Sequence, residues 1–93
     1  MPHNVLMHEE QDDVAVAVVD LKPGDQASAV TLEGKPVGTV KVLESVPLGH
    51  KIAMRPMAEG HKVIKYRRPI GKASRAIAAG AHVHTHNLKT LRW

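Results

Sequence analysis

The sequence predicts a mainly β domain with one short helix, and three observations carry that reading. The apolar residues are almost wholly aliphatic: of 93 residues none is Phe, one is Tyr and one is Trp, while Val and Ala recur throughout. Short apolar runs of strand length are separated by Gly- and Pro-bearing turns at regular intervals, the pattern of a barrel-like or clip-like all-β fold. Only one stretch has helical spacing. A chain of this length makes one domain, residues 1–93, with a modest core and little room for a large internal cavity.

In order along the chain, Val5, Leu6 and Met7 interrupt a polar start and form a short edge strand or an arm. Asp12 and Asp13 charge the turn before the clearest strand, Val14 to Val19, in which the larger Val14, Val16 and Val18 alternate with Ala15 and Ala17. The small face implies close packing against another layer. Lys22-Pro23-Gly24-Asp25 is a turn, since Pro fixes φ and Gly permits a positive one. Strands are expected over residues 27–32, 37–43, 50–55 and 61–66, with breaks at Glu33-Gly34-Lys35, Pro47-Leu48-Gly49 and Met57–Gly60. Pro69-Ile70-Gly71 reads as a further break. Residues 72–79 form the helix, with Ala73, Ala76 and Ile77 as its apolar stripe and Gly80 as its C′ residue. His82 to His86 is a last short strand, and there is no internal repeat.

Composition removes several function classes. The absence of Cys excludes disulfides, thiolate metal sites and cysteine nucleophiles. The first residues have neither the basic nor the apolar region of a secretory signal, and no apolar run approaches the roughly 20 residues that span a bilayer, so a soluble, cytoplasmic protein is expected. The formal charge is +4, much of it between Lys62 and Arg75. That stretch is a solvated face or a site for an anion. With almost no stacking aromatics, nucleic acid is not the expected partner.

The sharpest chemical feature is His82-Val83-His84-Thr85-His86-Asn87. On a strand the three imidazoles share a face, successive ones about 6.6 Å apart from a rise of about 3.3 Å per residue. Two, His82 and His84, can converge on a divalent metal; a third ligand must come from a distant position such as His50 or from a partner chain. The same rings could instead bind a carboxylate, do acid–base work near neutral pH, or face solvent on a polar edge. Gly49-His50-Lys51 opens another strand with a ring and a cation. No nucleophile triad, phosphate loop or dinucleotide fingerprint is present.

Four segments in order, Asp12–Ala17, Gly49–Ala53, Lys65-Tyr66 with Pro69-Ile70-Gly71, and Gly80–Asn87, together resemble the SAF-type domain of the altronate and galactarate dehydratases. The same domain occurs as the small subunit of sulfolactate sulfo-lyase. The resemblance spans about residues 8–88. It implies a β-clip fold and an accessory role beside a larger catalytic lyase subunit, a hydro-lyase of sugar-acid metabolism that depends on a divalent metal, commonly iron or manganese. It implies that His82 and His84 are catalytic or metal-bearing. Lys51, His50, Arg68, His86 and Asn87 would then contact a sugar-acid or hydroxy-acid substrate. Two positions depart from the pattern: Asp13 replaces a usual Asn, and Arg67-Arg68 follows the Lys-Tyr pair where Gly is usual. A stand-alone metal- or acid-binding module and a homo-oligomer paired through its β edges are the competing readings.

Overall fold

A computed structural model describes residues 3–65 and 68–90. The strands are β1 (Val5–Met7), β2 (Val14–Ala17), β3 (Gln26–Thr31), β4 (Pro36–Lys41), β5 (Lys51–Ala53), β6 (Lys62–Lys65), β7 (Arg68–Ala73), β8 (His82–Val83) and β9 (Leu88–Thr90). Six form one sheet in the order β4-β3-β1-β2-β5-β8, and three form a second in the order β6-β7-β9. The fold is mainly β, as the aliphatic, turn-punctuated sequence predicts. No helix among the described residues is long and apolar enough to cross a membrane.

Two cores follow from strand alternation. Ala15 and Ala17 of β2 and Ile52 of β5 enter the first, with Val5, Met7 and Val46. Val14 and Ala53 of the same two strands enter the second, with Val63 and Val83. β2 and β5 are therefore buried on both faces, and the small Ala face of β2 packs close, as expected.

The chain is organised by a turn used four times. Ala17, Val42, Ala53 and Ala73 are each followed four residues later by a buried aliphatic or Met residue, Leu21, Val46, Met57 and Ile77, and three later again by Gly. All four glycines have positive φ, from 86° to 93°. The copies pair by approximate two-fold symmetry. Gly24 N–H donates to Val42 and Gly49 N–H to Ala17, with Leu21 bridging Val46; Gly60 N–H donates to Ala73 and Gly80 N–H to Ala53, with Met57 bridging Ile77. These paired turns are the clips of a β-clip. The expectation of no internal repeat is thus corrected: the repeat is a spacing, not a string of identities.

The same spacing explains the missing helix. Ala73 and Ile77 are four apart because a strand end and a bridge residue are four apart in every copy, which mimics helical periodicity. Ala76, expected on the apolar stripe, is exposed, and the segment consists of a bend at Ser74-Arg75, the Ile77 bridge and a turn at Ala79-Gly80. Three further expectations change. β1 is no edge: it lies between β2, antiparallel, and β3, parallel. Pro69-Ile70-Gly71 continues β7, because Pro69 faces Ile64 where the register shifts. A ladder irregularity tolerates a residue without N–H. Gly71 is required there, since a Cβ would lie 2.6 Å from the Lys89 carbonyl of β9. The last His-bearing strand stops at Val83, and Thr85–Asn87 turn the chain into β9. Tyr66, Arg67 and Trp93 lie outside the described residues.

Candidate functional site

The clip at Val46–His50 delivers His50 to the first residue beyond a turn, where its carbonyl accepts the Ala17 N–H at 2.8 Å. β5 then pairs with the edge strand β8, Lys51 opposite Val83 and Ile52 opposite His82. Continuing that register sets His50 opposite His84, so His50, His82 and His84 share one face. The turn after Val83 is pinned by Asn87, whose buried amide donates to the His82 carbonyl at 2.8 Å and accepts the His84 N–H at 3.0 Å.

The rings meet as a cluster. His50 Nδ1 and His82 Nε2 are 2.9 Å apart. Ring centroids are separated by 4.6 Å for His50 and His84, 5.5 Å for His82 and His84, and 5.4 Å for His82 and His86. One nitrogen from each of His50, His82 and His84 lies within 4.8 Å of the others. Bonds of 2.0–2.1 Å in a tetrahedral site would bring ligand atoms to about 3.3 Å, so modest ring rotation suffices. The imidazole donor set suits iron and zinc. Burial pushes the His82 pKa down, the neighbouring His50, His86 and His84 push it further, and Glu44 partly opposes them. Glu44 Oε2 also accepts the His82 N–H at 3.3 Å. A neutral imidazole is the form that ligates a metal.

The other sequence-read residues sit elsewhere. Lys51 pairs with Val83, whose side chain enters the second core, so it leaves β5 on the face away from the imidazoles. Its pKa is lowered, first by burial and then by Lys65. Arg68 is exposed at the start of β7. Asn87 holds the His turn through its amide, and His86 is exposed beside His82.

Sequence reasoning missed a second node. Asp13 does not simply charge a turn: it is 4% exposed, accepts the Ile64 N–H at 2.8 Å, and meets His61 Nε2 at 2.9 Å and Arg55 Nε at 3.6 Å. Asp12, also buried, accepts the His8 N–H. The signal was present, since Gly-His-Lys occurs twice, at residues 49–51 and 60–62. Glu44 carried no sequence signal.

Paired clips and an imidazole-rich sheet edge define a β-clip domain. The chain belongs to the altronate/galactarate dehydratase SAF domain family, which it matches over residues 3–91. It is similar to the (2R)-sulfolactate sulfo-lyase subunit alpha of Chromohalobacter salexigens, 36% identical over 94 residues covering the whole of both chains. It is 46% identical over 79 residues to the altronate dehydratase of Escherichia coli, covering 85% of this chain and 15% of that enzyme. A sulfo-lyase subunit alpha of Paracoccus pantotrophus is 50% identical over 48 residues, 52% of this chain and 72% of that one. The chain therefore spans a small fraction of the altronate dehydratase but the full length of the first sulfo-lyase subunit.

Proposed function

We propose that this protein is the small component of a hydroxy-acid lyase and contributes an imidazole site to a larger catalytic chain. The observation that carries the reading is the convergence of His50, His82 and His84 from two strands at a sheet edge. Support comes from relatives named as a lyase subunit alpha and as altronate dehydratase. The substrate class is a sugar acid or related hydroxy acid, and the reaction is elimination β to its carboxylate.

In this reading His50, His82 and His84 hold a divalent ion, iron or manganese. When bound, such an ion polarises the oxygens of the acid. Depressed proton affinity keeps His82 neutral for that task. Asn87 orients the rings by fixing the backbone of His82 and His84. His86, exposed and 5.4 Å from His82, is the ring left to take or return a proton at the substrate. Lys51, on the opposite face of β5, is not part of that site.

The test is reconstitution with the larger lyase chain of the same host. His82→Ala and His84→Ala should each lower turnover well over tenfold while the subunits still associate. Full turnover in both variants would dismiss the imidazole site. Failure of the two chains to associate, with micromolar metal affinity retained by this chain alone, would favour the stand-alone binding module. A stable homo-oligomer by light scattering, with neither property, would favour edge pairing.

A further inference from the structure

The outer face of the three-stranded sheet carries a row of lysines set by strand register. Lys62 of β6 lies opposite Lys72 of β7, and Lys72 lies opposite Lys89 of β9. Their neighbours face inward: Val63 and Ala73 are buried in the second core, and Leu88 packs against it. Strand alternation therefore points all three lysines outward, where they are exposed. Cβ atoms directly opposite each other on adjacent strands are about 5 Å apart, and like charges so placed destabilise a sheet. Here two such pairs share the central Lys72. Among the described residues no ion pair involves any of the three. The row thus works against the isolated fold, and no acid of the chain answers it.

We propose that Lys62, Lys72 and Lys89 dock an acidic protein face, and that the occupant is the larger lyase chain. The inference rests on the lyase reading and adds to it the surface on which the two chains meet. Charge complementarity selects an acidic partner, since only an outside counter-charge removes the repulsion between opposed lysines. Nucleic acid fits less well: with one Tyr and one Trp in the chain, bases find little to stack on. The place of the row favours a chain that also reaches the imidazoles. Lys89 comes three residues after His86, so their Cα atoms lie within about 11 Å of each other. The three ammonium groups are exposed point charges on flexible stems, which suits the rim of an interface rather than its core. Their main effect is on the rate of encounter and on its dependence on salt.

The experiment mixes this chain with the larger lyase chain of the same host and follows association by stopped flow at low and at physiological ionic strength. The association rate of the unaltered chain should fall about tenfold across that range. The double variant Lys72→Gln with Lys89→Gln should associate about tenfold more slowly at low salt and lose most of the salt dependence. Lys22→Gln with Lys41→Gln, at two exposed lysines outside the three-stranded sheet, changes the net charge equally and should leave the rate within about twofold. Lys72→Gln also relieves repulsion, so it should raise the urea midpoint of the isolated chain; a lower midpoint would make the row structural and overturn the proposal. A rate indifferent to salt, an equal loss in the control pair, or unchanged association of the double variant would each sink the docking face while the lyase reading stands. No association of the unaltered chains would sink the lyase reading and the docking face with it. Capture of a single-stranded oligonucleotide that the double variant no longer holds would make the row a nucleic-acid surface instead. Self-association by light scattering, lost in the double variant, would make the occupant a second copy of this chain.

Discussion

The tripeptide Gly-His-Lys occupies the same turn twice, at residues 49–51 and 60–62, and the two histidines meet opposite chemistry. His50 lies 2.9 Å from another imidazole, and His61 lies 2.9 Å from a buried carboxylate. Their backbones are alike: each residue donates to the carbonyl three before it and accepts an N–H from a buried Ala. The turn therefore fixes where a ring starts, and the neighbouring strand decides what it does. β8 brings His82 and His84 to the first ring, whereas the start of β2 brings Asp13 to the second. One turn became part of a candidate site and the other a clamp between sheets.

The comparison assumes that the turns themselves are equivalent, and substitutions at their glycines test that most severely. At Gly49 and Gly60 an added Cβ meets open space, so Ala there bears only the cost of positive φ, about 1 kcal/mol each. At Gly80 the Cβ would clash with the Lys41 carbonyl as well. Gly80→Ala should therefore lose about 3 kcal/mol or more in urea unfolding. A similar cost at all three positions would show that the turns are not built as described.

Next in size is the clamp. Asp13→Ala removes the acceptor of the Ile64 N–H and the partner of His61 and Arg55. It should destabilise the fold by about 3 kcal/mol. Asp13→Asn, which keeps the acceptor oxygen, should lose less than half of that by the same measurement. His50→Ala should behave in the contrary way: a stability change under about 1 kcal/mol, but cobalt(II) affinity, read by its visible absorption, reduced about 100-fold, equivalent to about 2.7 kcal/mol. A large stability loss with intact cobalt binding would reverse the roles assigned to the two histidines.

The smallest effect is on pH dependence. The fold disfavours the charged form of His82, so the unfolded chain binds its proton first as pH falls. Stability should be full above the ordinary His pKa of about 6.5 and decline as pH drops through the folded value. His50→Ala removes one of the causes and should shrink that decline. An unaltered acid-side slope would mean that the rings do not interact electrostatically.

Much of the architecture was legible because strand alternation and turn chemistry are local. The runs at Val14, Ala27 and Val37 fall where β2, β3 and β4 form, and all four clip glycines stood at visible breaks. What was illegible is relational. Nothing near Val5 announces that it will sit between two later strands, and nothing near Asp13 announces His61, 48 residues away. The Lys72–Ala79 segment misled because clip spacing and helical spacing coincide at four residues. At the imidazole cluster His82 and His84 were legible from spacing, and His50 as a distant third ring. Glu44 gains its significance only from its contact with the His82 N–H, 38 residues away.

The position of β1 sets a kinetic condition on the whole molecule. Its three residues bond to β2 on one side and to β3 on the other, so the six-stranded sheet is continuous only through them. Closing the parallel β1–β3 contact requires a loop of more than twenty residues to be drawn in before any reward is gained. Folding should therefore belong to the millisecond-to-second range of non-local β topologies. A chain shortened past Val5 would have to leave β2 and β3 as two unpartnered edges.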